Sequence, residues 1–125
     1  MIKAPVSECT VKPQFLLWNA SRSIERLGGQ EALIVKLVTL YLRDAPVQIE
    51  QALSGIEHKD YESSHIAIHS LKGTSSNFCT KKLELICDEL LVSLKALNWD
   101  ESLKIHARLL GEYSKLGLEL ERFVK

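Results

Sequence analysis

Three residues in the middle of the chain, His69, Lys72 and Gly73, have the types and spacing to handle a phosphoryl group. Steps of three and four residues place them on one stripe of a helix. A neutral imidazole is a competent nucleophile towards phosphorus near neutral pH. Lys72 would place an ammonium one turn away, where it compensates the phosphoryl charge and disfavours the imidazolium. Gly73 costs the helix about 1 kcal/mol relative to alanine, which makes sense where another protein must approach the bare backbone.

A competing interpretation of the same stripe is a metal site. His65 and His69 are separated by one helical turn, so their rings could clamp an ion such as zinc. No acidic or cysteine ligand lies obviously within reach, and Cys79 is more than two turns further along. We therefore predict no bound metal at this stripe. The remaining histidines, His58 and His106, are expected to be exposed to solvent.

The composition describes one soluble domain without a strong field of either sign. Sixteen basic and sixteen acidic residues cancel in a chain of 125 residues, so nucleic acid and direct membrane contact are not expected. Apolar stretches fall far short of the roughly 20 residues that span a bilayer. Cys9, Cys79 and Cys87 form no C-x-x-C pair, which favours a reducing cytosol. We expect a cytoplasmic domain, or the cytoplasmic part of a larger protein.

Apolar residues recur at helical spacing from Phe15 onward, and no segment alternates like a strand. The sequence therefore predicts an all-α fold, an up-down four-helix bundle with a short extra N-terminal helix. Residues 1–14, which hold Pro5 and Pro13, are interpreted as a linker or flexible arm before a domain at 15–125. The predicted helices cover residues 19–27, 30–53, 61–78, 81–97 and 100–123.

Several residues are given structural roles by their positions in these helices. Pro46 should kink the second helix, and Ser54-Gly55 should end it. Asp60 and Thr80 are expected to be N-caps of the next two helices. The apolar stripe of the second helix is formed by Leu33, Leu37, Leu40 and Tyr41. The residues of the third helix that are expected to point at the core are Tyr61, Ile68, Leu71, Ser75 and Phe78. Other packing residues are expected at Trp18, Trp99, Cys79 and Cys87.

The run from Ala67 to Phe78 resembles the signature of the histidine phosphotransfer (HPt) family, a His-x-Leu-Lys-Gly core followed by small residues. The Leu27-Gly28-Gly29 turn, the long helix containing Pro46, and Leu83 with Cys87 also match that family's layout. The resemblance covers residues 18–123. It implies that His69 is the phosphorylated histidine, and that Lys72 and Gly73 are the motif's basic and glycine positions.

Two positions depart from the family pattern. Cys79 stands where members usually have glycine, which should slightly alter the helix end without loss of function. Ile66 stands on the histidine's side at a position that is often polar, where it would tune the choice of partner.

The resemblance also implies how the domain works. It would accept a phosphoryl group from an aspartyl phosphate on a receiver domain and pass it to another receiver, which supplies the Mg²⁺. The chain itself would bind no cofactor and would be a monomer. Ile66, Ser70 and Gly73 are expected to surround His69 on the docking face. The preceding helix is expected to add rim residues at Ile34, Leu37 and Val38.

Two alternatives remain open at this point. The first alternative is a helical adaptor that binds receiver or kinase domains without being phosphorylated, although such a relative should have lost the histidine. An ATP-dependent kinase is excluded because the sequence has no G-x-x-x-x-G-K-[ST] loop. A free-standing protein and the C-terminal module of a hybrid sensor kinase, which would be membrane-bound, are both compatible with the sequence.

Overall fold

The computed structural model describes residues 31–78 and 80–124, and this part of the chain forms four α-helices without a strand. A short 3-10 turn, Ser76–Phe78, follows the second helix. Each helix packs against two others, so that the four close into a bundle and the all-α prediction is confirmed. The arm at 1–14 and the extra helix at 19–27 lie outside the described residues and stay predictions. The helices are α1, Glu31–Glu57; α2, Tyr61–Ser75; α3, Lys81–Lys95; and α4, Trp99–Val124.

The buried stripe of α1 lies one residue away from the predicted one. Of the predicted set only Tyr41 is buried, whereas its leucines are half-buried at the edge of the core. Because α1 packs against both α2 and α4, its core stripe is centred between those two neighbours. The residues that form this stripe are Ile34, Val38, Tyr41, Ala45, Ile49, Ala52 and Ile56.

This shift makes the predicted docking rim on α1 wrong for Ile34 and Val38, while the prediction for Leu37 stays open. Ile34 and Val38 each expose 0% of their surface, so neither can touch a partner while the bundle is folded. Leu37 is half-buried and packs against the core. Their apolar character reflects packing between helices, which a single sequence cannot distinguish from an exposed binding patch.

The prediction that α1 ends at Ser54-Gly55 is also wrong, because the helix continues to Glu57. Gly55 is there for a different reason: a Cβ at this position would lie 2.8 Å from the backbone nitrogen of Ser64 in α2. Its carbonyl also accepts a hydrogen bond from the Asp60 backbone N–H at 2.7 Å. Gly55 therefore allows the end of α1 to touch the start of α2 directly.

Asp60 is the N-cap of α2, as predicted. Its carboxylate accepts hydrogen bonds from the Ser63 backbone N–H at 3.1 Å and from the Ser63 hydroxyl at 2.8 Å. These bonds favour the ionised form and lower the pKa of Asp60 below its ordinary value. The cap satisfies donors of the first turn that have no partner within the helix.

Because the pKa of Asp60 is lower in the folded chain, its stabilising effect is present above the unfolded-state value of about 3.9 and is lost as the pH falls. We therefore expect Asp60→Ala to lower the melting temperature at pH 7, and the difference from wild type to shrink progressively below about pH 4. Thermal unfolding followed by circular dichroism, at pH 7 and in the range below about pH 4, measures the difference in melting temperature between the two proteins. A difference of equal size at both would show that the cap does not act through the ionised carboxylate.

The end of α2 is fixed by buried hydroxyl groups. Thr80 occupies the N-cap position of α3 but makes no side-chain capping bond. Its hydroxyl instead donates to the Ser75 carbonyl at 2.9 Å. Thr80 therefore lies at the predicted N-cap position, but its side chain does not make the capping hydrogen bond. The Ser75 hydroxyl is hydrogen-bonded to the Tyr41 hydroxyl at 2.6 Å, which connects α2 to α1.

Two further packing predictions have different outcomes. Cys79, predicted to fill space near a helix junction, lies outside the described residues. Tyr61 was predicted to point at the core but is 36% exposed.

His106 was predicted to be exposed, and this is wrong: it is 4% exposed inside the bundle. Its Nε2 lies 2.8 Å from the Ile49 carbonyl oxygen. Since a carbonyl oxygen only accepts, Nε2 carries the proton and donates it, linking α4 to α1. His58 is exposed as predicted.

The packing predictions for Trp99 and Cys87 are confirmed, whereas Trp18 lies outside the described residues. Trp99 is partly buried against the core. Cys87 is fully buried, and desolvation raises the pKa of its thiol to about 12. The thiolate is therefore scarce at neutral pH, and Cys87 is a packing residue rather than a nucleophile.

Candidate functional site

His69 lies on the outer face of α2, where its side chain is exposed to solvent. Its neighbour Ile68 and the residue Leu71 are both fully buried, with 0% exposure. These two anchors fix the rotation of the helix about its axis and so aim His69 away from the core. Among the described residues, no hydrogen bond reaches either ring nitrogen of His69. Neither nitrogen is therefore engaged by a described residue, and the side chain is exposed.

The imidazole of His69 stacks on that of His65, one turn earlier. Their ring centroids are 5.9 Å apart and their planes differ by 19°. Tyr61 continues the same row, with its ring centroid 5.3 Å from that of His65. This row of rings supports one side of His69. It offers two imidazoles only, and the described residues contain no group of three potential ligands that could hold a metal ion.

The ammonium of Lys72 is engaged by an acidic residue that the sequence analysis did not identify. Its Nζ lies 2.6 Å from Oδ1 of Asp88 in α3. This hydrogen bond and the accompanying charge raise the pKa of Lys72 above its ordinary value. Asp88 was missed because it lies on a different helix, and no local spacing relates it to the motif. The predicted cation is present one turn from His69, but it is paired with α3.

The surface around His69 is open and partly apolar. Ile66 is 59% exposed, and Ser70 and Gly73 are also exposed. A Cβ added at Gly73 would have nothing within 4 Å, so no neighbouring helix explains the glycine. The structure thus brings the three predicted neighbours of His69 to one accessible face.

A groove adjoins this face between the end of α1 and the first half of α2. Its volume is about 430 Å³. Ile66 belongs to both the groove and the surface around His69, so the two are continuous. Leu37 of α1 lies elsewhere, in a separate groove beside Thr74 of α2 and Asn77 of the 3-10 turn, whereas the α1 residues of the groove near Ile66 are at the C-terminal end of α1. The groove near Ile66 is lined by Gln51, Ser54, Gly55, His58, Asp60, Ser63, Ile66 and Ala67.

The described helices include none that is both long and apolar enough to cross a membrane. Ion pairs join neighbouring helices on the outer surface, as between Arg108 Nη1 and Glu89 Oε1 at 2.8 Å. His69 thus presents an exposed imidazole, with the ammonium of Lys72 one helical turn away. This arrangement suits transfer of an anionic group to and from another macromolecule.

The chain is similar to known proteins both in sequence and in fold. The family model described as "Hpt domain" matches residues 36–122, a range that includes His69, Lys72 and Gly73. The fold is similar to the crystal structure of a histidine-containing phosphotransfer protein from maize, ZmHP2, with a TM-score of 0.72 and 19% sequence identity over 96% of each chain. Among curated proteins nothing matches this chain. The structural likeness concerns the fold, and the family match concerns the motif and its helices.

Proposed function

The chain belongs to the Hpt domain family, and from this premise we propose that it is a phosphorelay intermediate that carries a phosphoryl group on His69. The donor is an aspartyl phosphate on one receiver domain, and the acceptor is the aspartate of another. The observation that carries the proposal is the exposed His69 imidazole held between two fully buried residues of α2. A rigid helix that presents a free ring nitrogen satisfies the positional demand of phosphoryl transfer.

In the transfer step, Nε2 of His69 attacks the phosphorus of the aspartyl phosphate in line with the leaving oxygen. A nitrogen–phosphorus bond forms as the bond between phosphorus and the receiver's carboxylate oxygen breaks, and the carboxylate stays on the receiver. The proton on the other ring nitrogen can then be lost to solvent. The reverse sequence passes the group to the next receiver. Mg²⁺ would be held by the receiver and compensates charge at the phosphoryl oxygens.

The receiver would dock on the face formed by Ile66, Ser70 and Gly73, with the adjoining groove at its edge. Exposed Ile66 supplies apolar area at the centre of an otherwise polar surface, which suits a transient interface. Bare backbone at Gly73 allows the receiver's phosphorylated aspartate to come within bonding distance of His69. We further propose that the chain acts as a monomer in the cytoplasm and binds no nucleic acid.

The test is incubation of the purified chain with a phosphorylated receiver domain and Mg²⁺. We expect a phosphoryl group that is labile in acid and stable in base, mapped to His69 by mass spectrometry. Binding to several receivers without any label on the chain would instead support an unphosphorylated adaptor and would overturn the carrier function.

Gly73→Ala separates the docking role of this glycine from its effect on the helix. Because the added methyl group meets nothing within 4 Å, the helix should gain about 1 kcal/mol of stability. Transfer from a receiver should nevertheless slow, because the methyl group projects into the docking face. Thermal unfolding and single-turnover transfer rates measure the two effects.

Gly111→Ala is the matched control for Gly73→Ala. A Cβ at Gly111 also has nothing within 4 Å, and this glycine is exposed on α4, away from His69. It should gain similar stability and keep the wild-type transfer rate. Equal transfer rates in both variants would remove the docking role assigned to Gly73.

A further inference from the structure

The ion pair between Lys72 and Asp88 raises a question about the cation beside His69. Both side chains are only partly exposed, at 38% and 47%, and the contact is short at 2.6 Å. This contact holds the ammonium towards α3, where Asp88 offsets part of its charge. In the unphosphorylated chain, Lys72 is therefore not a free cation at the face where the phosphoryl group arrives.

We propose that Asp88 is a positioning residue that holds Lys72 against α3 and gives it up to the phosphoryl group once His69 is phosphorylated. Asp88 thereby sets how far the transfer equilibrium favours phosphohistidine. The inference rests on the proposed function, since it concerns the same phosphoryl group. It assigns a role in that reaction to a residue on a different helix, outside the motif.

Lys72 can exchange its partner because the Asp88 carboxylate and the phosphoryl group on His69 are both anions within reach of its ammonium. A phosphoryl group brings roughly two negative charges, and residues three positions apart on a helix are within reach of each other. Exposed ion pairs are weak, so the lysine side chain can rotate from one anion to the other without a change in the backbone. The favourable interaction free energy between the phosphoryl group and Lys72 is therefore reduced by the free energy of the Lys72–Asp88 ion pair that has to be broken.

Other acidic groups near Lys72 make a smaller contribution. The direct hydrogen bond from Asp88 is the largest cause of the raised pKa of Lys72. Glu84, one turn before Asp88 on α3, contributes to it only through its charge. Glu89, the next residue along, is turned towards α4 and pairs with Arg108. Glu89 therefore offers a matched control: the same helix and the same loss of charge, without contact with Lys72.

The experiment measures the equilibrium between phosphorylated receiver and phosphorylated His69, using the receiver that labels the wild-type chain, with Mg²⁺. Asp88→Asn should shift this equilibrium towards phosphohistidine by about two- to fivefold, the range that exposed ion pairs produce. Asp88→Glu should restore the wild-type value, and Glu89→Gln should leave it unchanged. Lys72→Ala should shift the equilibrium the other way by a similar factor.

The double variant Lys72→Ala/Asp88→Asn decides the mechanism. If Asp88 acts through Lys72, then Asp88→Asn has no effect once the lysine is absent. The same shift in the presence and absence of Lys72 would mean that Asp88 repels the phosphoryl group directly, which overturns the proposal. No shift in Asp88→Asn alone would overturn it as well.

A second measurement does not depend on any receiver. Phosphoramidate can phosphorylate the histidine chemically: its phosphorus–nitrogen bond breaks, ammonia leaves, and a bond from phosphorus to His69 forms. The NMR signals of the Lys72 side chain should move on phosphorylation, and unmoved signals would overturn the proposal. If receivers fail to label His69 while these signals move, the proposed relay function fails, and with it the effect of Asp88 on the transfer equilibrium, whereas the release of Lys72 to the phosphoryl group stands.

Discussion

His69→Gln is expected to abolish phosphorylation of the chain and to leave its helical content unchanged. Glutamine has no nitrogen that can form a stable bond to phosphorus, and the imidazole makes no hydrogen bond with any described residue. The anchors of this part of α2, Ile68 and Leu71, are fully buried and are not altered. Mass spectrometry after incubation with a phosphorylated receiver measures the first effect, and circular dichroism measures the second.

His65→Gln is the matched control, because it removes the neighbouring imidazole of the same row. The phosphoryl group should still be found on His69 in that variant. Full labelling of His69→Gln would move the acceptor to another residue, with His65 the first candidate, and would contradict the site described above.

The largest effect on stability is expected from Gly55→Ala. The added Cβ would lie 2.8 Å from the Ser64 backbone nitrogen, 2.9 Å from its Cβ and 3.1 Å from its Cα. These are backbone atoms and the first side-chain atom of α2, so no rotamer change can relieve the clash. Overpacking of this kind costs about 1–3 kcal/mol, against the roughly 1 kcal/mol that alanine gains over glycine in a helix.

We therefore expect Gly55→Ala to be less stable than wild type, although the same substitution at an open helical site stabilises. Urea unfolding measures the free-energy difference, with Gly111→Ala as the control of opposite sign. A more bulky residue, as in Gly55→Val, should be more destabilising still. Wild-type stability in Gly55→Ala would show that α1 and α2 can separate at this point without loss.

Local features of the sequence were sufficient for the all-α fold, for the N-cap at Asp60 and for the exposed stripe that carries His69. Each of these depends on residues within a few positions of one another, and such interactions follow directly from helix geometry. The motif around His69 and Lys72 is likewise contained within one helix. This is why the family could be recognised from a short run of residues, and why the match over 36–122 agrees with it.

The remaining features depend on how separate helices meet. Whether Ile34 is core or surface depends on α2 and α4 lying on either side of α1, and His106 is buried because α4 faces the Ile49 carbonyl. The partner of Lys72 is on α3. Residue type and spacing constrain what a helix can present, but the packing of the bundle decides which face is covered and which charges are paired. The sequence by itself determined the helix that carries His69 and the exposure of its imidazole, whereas the tertiary structure decided the surroundings of that imidazole, because those are contacts between residues distant in the chain.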